Sequence, residues 1–115
     1  MAMTREQIIE KWGRMSSRER DAWVEEVVQP PVPSVLCFYV LPHYTTDISA
    51  AWEVVEVLRK DWLVQLHDCD PFGWRIELIS DSEYRTDLNG VVVRKVEEAI
   101  CLAALIAKLT KEESA

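Results

Sequence analysis

The segment Tyr44-Thr-Thr-Asp-Ile-Ser-Ala-Ala-Trp-Glu-Val-Val-Glu-Val-Leu58 predicts a helix with one buried face. Thr46 is suited to the N-cap position, and Asp47 then lies in the first turn, where its carboxylate meets unpaired backbone N–H groups. Apolar side chains recur at helical spacing and form one stripe, at Ile48, Ala51, Trp52, Val55 and Leu58. Polar side chains occupy the opposite side, at Ser49, Glu53, Glu56 and Lys60. We therefore expect a helix from about Thr46 to Lys60, with Trp52 central to its packing.

Two shorter helices are predicted before this segment. Each begins with a capping box, in which a Ser or Thr is followed three residues later by a Glu or Gln, at Thr4–Gln7 and Ser16–Glu19. Gly13 is suited to end the first helix in a left-handed conformation, and Pro30 cannot continue the second. Residues 1–29 are therefore predicted to form an N-terminal helical segment.

A proline-bounded stretch, residues 30–43, links this segment to the next helix. Within it, Val35 to Leu41 is rich in β-forming residues and is ended by Pro42. Two interpretations remain open for this stretch. It is either an edge strand of the sheet or an extended arm that packs on the body of the protein or on another subunit.

Two strands are predicted after the long helix, from Asp61 to His67 and from Trp74 to Ser80. Between them, Asp70-Pro-Phe-Gly73 has the composition of a type I turn. A turn that joined the strands directly would place Leu66 opposite Glu77 and would mix apolar with polar faces. We therefore expect a one-residue bulge or a loop of odd length in this connection.

The last part of the chain completes the predicted fold. A third, short strand is expected from Glu83 to Thr86, and a final helix from about Val92 to Leu109. The apolar face of that helix is wide and includes Cys101, which indicates burial against a sheet and a neighbouring helix together. Residues 44–110 are thus predicted to form a helix–strands–helix core within one compact domain. The fold class is α+β, with a small antiparallel sheet of about three strands layered between helices as an α/β/α sandwich.

Three stretches resemble the phage ABA sandwich domain, a family of small bacteriophage and prophage proteins. The runs Tyr-Thr-Thr-Asp-Ile-Ser-Ala-Ala-Trp-Glu-Val-Val-Glu56 and Glu98-Ala-Ile-Cys-Leu-Ala-Ala-Leu105 resemble its central and final helices. Arg18 to Val27 resembles the N-terminal helix that often precedes them. The resemblance covers most of residues 16–28 and 44–107. It implies a helix/sheet/helix layered fold and a phage or prophage origin, and it carries over no catalytic residue.

Composition limits the classes of partner. The 115 residues include 20 acidic and 13 basic side chains, with a formal net charge of −7. Binding to a phosphate backbone depends on clustered Lys and Arg, so nucleic-acid binding is not expected. The charge is typical of a soluble protein, and it is also what a protein that imitates nucleic acid would carry. No apolar run approaches the roughly 20 residues that span a bilayer, and no signal-peptide pattern is present. We therefore expect no membrane partner and a cytoplasmic location, in the host cytoplasm if the chain is phage-encoded.

One cluster of reactive side chains lies at the predicted hairpin end. His67, Cys69 and Asp70 offer imidazole, thiol and carboxylate ligands for a metal, although a closed site would need His43 or Cys37 as well. The alternative is a polar hairpin end in which the carboxylates serve the turn. A Cys–His catalytic pair is not indicated, because nothing in the sequence brings these groups within reach. With three glycines and no phosphate loop, the sequence predicts no catalytic residue and no cofactor, and an enzyme is not expected.

Two further sets of residues are candidates for binding. Four aromatic side chains are interpreted either as partner-binding residues or as residues that cover the open face of the sheet, and both roles can hold in an oligomer: Trp12, Trp23, Phe38 and Tyr39. Three arginines are candidates for a small-ligand site, because an acidic protein needs local positive charge to hold a nucleotide: Arg75, Arg85 and Arg94.

These patterns favour one function over two alternatives. The favoured hypothesis is a non-enzymatic phage accessory protein that binds a host or phage protein and modulates a host or defence function. Self-association into a homo-oligomer is compatible with it. The first alternative is a protein that binds or sequesters a nucleotide-like ligand. The second is a metal-dependent enzyme with its centre at residues 67–70.

Overall fold

The computed structural model describes residues 3–28, 41–79 and 92–110 of the chain. These residues form an α+β fold, as predicted, with four helices and one antiparallel pair of strands. In chain order the elements are α1 (Arg5–Gly13), α2 (Ser17–Val28), α3 (Ile48–Leu58), β1 (Leu63–Asp68), β2 (Trp74–Ile79) and α4 (Val96–Thr110). No helix in the described ranges has the length and apolarity needed to cross a bilayer.

Both predicted capping boxes are present. The Gln7 N–H donates to Thr4 Oγ1 at 3.2 Å while the Thr4 N–H donates to Gln7 Oε1 at 2.9 Å. At the start of α2, Ser16 and Glu19 make the same reciprocal pair, and these bonds hold the pKa of the Glu19 carboxyl below its ordinary value. Helix α2 ends at Val28, ahead of Pro30, as expected.

The predicted left-handed end of α1 at Gly13 is wrong. The helix is instead closed by Arg14 in a right-handed conformation, with φ −93° and ψ −6°. The Arg14 N–H bonds to the Lys11 carbonyl at 3.1 Å, and the Met15 N–H bonds to the Trp12 carbonyl at 3.2 Å. Because these bonds satisfy the last carbonyls of α1, no left-handed residue is needed.

Helix α3 is capped one residue later than predicted. Asp47, and not Thr46, is the N-cap, since its side chain accepts the Ser49 N–H at 2.9 Å. Thr46 lies in the preceding turn, where the His43 carbonyl accepts the N–H groups of Thr46 and Asp47 at 3.2 and 2.8 Å. The helix therefore begins at Ile48, one residue after the first helical residue that a Thr46 cap predicts.

The buried face of α3 is also rotated from the predicted one. Ala51, Val55 and Leu58 are buried as expected, but Ala50 and Val54 replace the other two members of the stripe. Ile48 is 48% exposed and Trp52 is 46% exposed, so the expectation that Trp52 is central to the packing is wrong. The reason is that α3 is apolar on both sides of the predicted stripe, and the hydrophobic pattern alone fits either rotation.

A buried polar clamp fixes the chain that enters α3. Asp21 on α2 is fully buried, and its Oδ1 accepts the Thr45 N–H at 2.9 Å and the Thr45 hydroxyl at 2.8 Å. Its Oδ2 accepts Arg18 Nη1 at 2.9 Å, and Arg18 Nη2 also donates to the Leu41 carbonyl at 3.0 Å. Nearby, the Tyr44 hydroxyl bonds to Glu25 on the same helix. These bonds join α2 to residues 41–45, so the N-terminal segment and the core are held together by polar contacts as well as by packing.

The hairpin has the odd-length loop that the side-chain pattern required. The register pairs apolar with apolar residues, with Val64 opposite Leu78 and Leu66 opposite Ile76, and five residues connect the strands. The expected turn at residues 70–73 is shifted by one position. The Phe72 N–H donates to the Cys69 carbonyl at 2.8 Å, so the turn spans residues 69–72 and Pro71 takes its third position, where the Asp70–Pro71 peptide is cis.

The described part of the sheet has two strands, in contrast to the expected three. The third strand was predicted at residues 83–86, which lie outside the described residues, as do residues 30–40. One further backbone segment does reach the sheet. Val93 pairs with Trp74 on the edge of β2 remote from β1, through N–H···O bonds of 2.6 and 2.9 Å.

Helix α4 lies at the centre of the described core. Every residue from Ala99 to Ala107 is at most 2% exposed, which confirms the wide apolar face predicted for this helix. It contacts α1, α2, α3 and β2, and the buried Ile76 and Leu78 of β2 belong to the same hydrophobic cluster. A helix that is apolar on all sides needs neighbours on all sides, and these elements supply them.

Candidate protein-docking groove

An apolar groove of about 470 Å³ lies between α3 and β1. Its walls come from the exposed side of α3, the turn after it and the first half of β1. The lining residues are Trp52, Val55, Arg59, Trp62, Leu63, Val64 and Leu66. We call this feature the α3–β1 groove.

The groove runs along the edge of β1 that faces away from β2. Successive residues of a strand point to opposite faces, so Leu63 projects from one face of the sheet and Val64 and Leu66 from the other. All three nevertheless line one groove. Residues of both faces can line one groove where it runs beside the strand, on the side away from β2, and β2 is the only strand that pairs with β1 among the described residues.

The backbone of β1 presents hydrogen-bonding groups along that edge. The N–H and C=O groups of Trp74 both bond to Val93, on the side of β2 away from β1. Successive residues of a strand direct their backbone N–H and C=O groups to opposite sides, so those of Arg75 point to β1. Arg75 is paired with His67, so the N–H and C=O groups of His67 point to β2. Leu66, and Val64 two residues before it, must then direct their N–H and C=O groups outward, to the groove side.

Three of the seven residues that line the α3–β1 groove are large apolar side chains that are unusually exposed for their type. Trp52 is 46% exposed, Leu63 is 60% exposed and Leu66 is 37% exposed. Trp62 is buried beneath them, with Lys108 Nζ 5.9 Å from the centre of its ring, and Arg59 at the rim pairs with Glu56 at 3.3 Å. Scattered exposed apolar residues are ordinary, but three that line one groove form a contiguous surface of the kind that marks a protein-interaction site.

Sequence reasoning did not identify this groove. It assigned Trp52 to the core, and it treated Leu63 and Leu66 as members of ordinary strand faces. One signal was present in the sequence: leucine occurs on both faces of β1, and no charged residue lies between Trp62 and Leu66 to protect a strand edge.

The predicted partner-binding aromatics lie elsewhere. Trp12 and Trp23 are each 6% exposed and belong to the hydrophobic core, and the helices that carry them, α1 and α2, pack on α4. Basic side chains cover both rings: Arg20 lies 4.6 Å from the centre of Trp12, and Lys11 lies 4.4 Å from that of Trp23. Their burial leaves little ring surface for a partner. Phe38 and Tyr39 lie outside the described residues.

The predicted metal ligands are engaged in local contacts. His67 Nε2 lies 2.7 Å from Glu77 Oε2 across the hairpin. Asp68 Oδ1 accepts the Asp70 N–H at 3.0 Å, so a carboxylate does serve the turn. Within residues 3–28, 41–79 and 92–110, no three His, Cys, Asp or Glu side chains are grouped closely enough to hold a metal ion.

The candidate ligand-binding arginines have different surroundings. Arg75 is half-buried on the outer face of the hairpin, and its Nε has no hydrogen-bond partner there. Arg94 is exposed and lines a polar hollow of about 310 Å³ beside Asp68 and Asp70, whose carboxylates disfavour an anion. Arg85 lies outside the described residues. Arg75 is not among the residues that line this hollow.

The cysteines differ sharply in accessibility. Cys101 is fully buried, and its thiol donates to the Tyr44 carbonyl at 3.4 Å. Burial, together with the negative charge of Asp21, raises the pKa of the Cys101 thiol far above its ordinary value. Cys69 is half-exposed in the turn, and Cys37 lies outside the described residues.

We expect Cys101 to resist alkylation in the folded protein. In a chain carrying Cys37→Ser and Cys69→Ser, iodoacetamide at about pH 9 should label Cys101 at least about 100-fold more slowly than it labels the unfolded chain, because the thiolate is the reactive form. The matched chain, with Cys37→Ser and Cys101→Ala, should label readily at Cys69. Mass spectrometry over time measures both rates, and equal rates for the two native chains would contradict the burial of Cys101.

Comparison with known proteins gives one match. A family model described as the phage ABA sandwich domain matches residues 6–105, which is most of the chain and includes all the elements from α2 to β2 and most of α1 and α4. Neither the curated proteins nor the solved structures contain a match.

Proposed function

The chain belongs to the phage ABA sandwich domain family, and on that premise we propose that it is a phage accessory protein that acts without catalysis by binding another protein through the α3–β1 groove. The observation that carries this proposal is the exposed apolar lining of the groove. Burying such a lining against a partner is favourable by about 25 cal/mol for each Å² removed from water.

Two features support an extended polypeptide as the bound element. The outward N–H and C=O groups of Val64 and Leu66 match the backbone of an added strand, and the apolar lining matches its alternate side chains. A small polar ligand fits this groove less well, because Arg59 is the only charged residue among the described residues that line it, and Arg59 already pairs with Glu56. The function proposed is therefore the modulation of a host or phage protein, in the host cytoplasm, through this contact.

A matched pair of variants tests the proposal. Trp52→Glu places a charge in the groove, and Phe72→Glu makes the same kind of change at a 74%-exposed residue of the hairpin turn, outside the groove. Both side chains are exposed, so we expect each variant to fold with a loss of stability below about 1 kcal/mol. Proteins captured from a host lysate by the unmodified chain should be lost with Trp52→Glu and kept with Phe72→Glu. Capture of the same proteins by both variants, or of none by the unmodified chain at any salt concentration, would refute the proposal.

A further inference from the structure

We propose that β1 of a second copy of this chain occupies the α3–β1 groove, antiparallel to β1 and related to it by a two-fold axis at Gln65. This inference rests on the premise of the proposed function that the groove binds polypeptide, and it adds that a second copy competes with a host or phage protein for the same groove. The two hairpins would then form one four-stranded antiparallel sheet, in the order β2, β1, β1 and β2.

The backbone of β1 selects this register. Hydrogen-bonded pairs between the two copies must involve residues whose N–H and C=O groups point outward, which in β1 are the even-numbered ones. Pairing Val64 of one copy with Leu66 of the other meets this condition. The symmetry repeats the pair, so four backbone hydrogen bonds form. The Trp62 N–H takes no part, because it already donates to the Leu58 carbonyl at 2.9 Å.

The side chains of β1 are complementary to themselves in the same register. Val64 and Leu66 point to the face that carries the buried core, so each would meet an apolar partner from the other copy. On the outer face, Leu63 would lie opposite His67, and the two Gln65 amides would meet on the axis. A strand from another protein would need apolar side chains at the positions that meet Val64 and Leu66. A second copy of β1 has them, because Val64 meets Leu66 of the other copy.

The charge of the chain does not prevent this association. The formal charge of −7 on each copy opposes association in general, but charges separated by more than about 8 Å are largely screened at physiological ionic strength. The stretch of β1 that pairs across the axis, residues 63–67, contains no acidic side chain.

Leu66→Pro tests the backbone part of the inference. Proline removes the outward N–H of residue 66 and leaves the bonds from β1 to β2 in place, because proline is tolerated where a strand faces solvent. Leu66→Ala is the matched control, since it shortens the same side chain and keeps the N–H. Sedimentation velocity from about 1 µM to about 1 mM should show the unmodified chain passing from monomer to dimer. We expect Leu66→Pro to raise the dissociation constant at least about 30-fold, and Leu66→Ala to raise it several-fold less.

A cysteine at the axis tests the geometry without removing any backbone bond. Gln65→Cys, in a chain with Cys37→Ser and Cys69→Ser, places two thiols in a pair that exchanges no hydrogen bonds, where Cα atoms are about 4.5 Å apart, within the range for a disulfide. Mild oxidation should convert most of this chain to a covalent dimer. Gln7→Cys, exposed on α1 in the same background, should remain largely monomeric.

The outcomes separate this inference from the proposed function. A monomer throughout the concentration range overturns the second-copy occupant, and so does a dimer that Leu66→Pro does not weaken or that Gln65→Cys does not cross-link. If such a chain still loses its captured partner with Trp52→Glu, the groove binds a foreign polypeptide and the proposed function stands. If that chain captures no protein whose binding is lost with Trp52→Glu, both proposals fail.

Discussion

Gly73→Ala is expected to destabilise the protein by about 4 kcal/mol, enough to unfold a marginally stable domain. Gly73 has φ +129°, a conformation that residues with a Cβ rarely adopt. An added Cβ would also lie 2.0 Å from the Val93 carbonyl oxygen and 2.9 Å from Arg94 Cα. Since all these atoms belong to the backbone, no rotation of a side chain relieves the contact.

Relief would require breaking the bridge that holds Val93 to Trp74. Its two hydrogen bonds contribute about 1 kcal/mol each, and the strained φ costs about 1–3 kcal/mol more. Gly13→Ala is the control, because a Cβ at Gly13 meets nothing within 4 Å and the residue ends a right-handed helix. That change should stabilise the protein by about 0.5 kcal/mol. Urea denaturation measures both effects, and equal midpoints for the two variants would contradict the close approach at Gly73.

Asp21→Ala is expected to cost about 3 kcal/mol of unfolding free energy. The substitution leaves the Thr45 N–H without its acceptor in a fully buried position and leaves the Thr45 hydroxyl only the Ser17 carbonyl, 3.4 Å away, and an unsatisfied buried group costs about 1–3 kcal/mol. The loss of stability should also reach the start of α3, because Thr45 lies just before that helix. Hydrogen exchange at the start of α3 should therefore accelerate along with the global loss of stability.

Two controls separate the hydrogen bonds from the charge. Asp21→Asn keeps an oxygen that can accept both Thr45 bonds, but its NH₂ group cannot accept from Arg18 Nη1, so the ion pair and its hydrogen bond are lost together. Because the Arg18 side chain is half-exposed, the cost should be about 1 kcal/mol. Asp61→Ala removes an exposed carboxylate and should change stability by less than about 0.5 kcal/mol. An Asp21→Ala protein as stable as Asp61→Ala would show that the clamp does not contribute.

The parts of the fold that followed from sequence are those governed by neighbouring residues. The capping boxes at Thr4 and Ser16 involve partners three residues away, and Pro30 limits α2 whatever lies around it. The odd-length hairpin loop followed from the alternation of Val64 and Leu66 against Ile76 and Leu78. In each case the nearby residues allow only one local structure, and tertiary contacts did not alter it.

The errors arose where two local solutions have similar energies. Thr46 and Asp47 are both residue types that cap helices well. The turn in which the His43 carbonyl accepts the N–H groups of Thr46 and Asp47 makes Asp47 the cap, and the sequence does not predict that turn. Helix α3 carries apolar residues on several sides, so contact with α4 and β1 decides that Val54 is buried and Trp52 is not. Burial of Asp21 depends on Thr45, 24 residues later, and no periodicity reveals that pairing.

The candidate site was the least predictable feature for the same reason. A groove beside β1 exists because one edge of that strand is not covered by β2, and edge or central position is a property of the assembled sheet. The sequence pattern assigned Trp52 to the core and made Trp12 and Trp23 candidates for binding a partner, whereas Trp52 is exposed and Trp12 and Trp23 are buried.

The central position of α4 has a consequence for how the protein is made. This helix is the last one described along the chain, yet α1 and α2 both pack on it, as do α3 and β2. A ribosome adds roughly 5–20 residues each second, so these earlier elements leave the ribosomal tunnel before α4. Their apolar faces stay exposed to water until α4 follows. We therefore expect the core to close only after residue 110 has left the ribosomal tunnel. Until then the nascent chain is a natural client for chaperones, and a stalled chain that lacks α4 is a substrate for proteolysis.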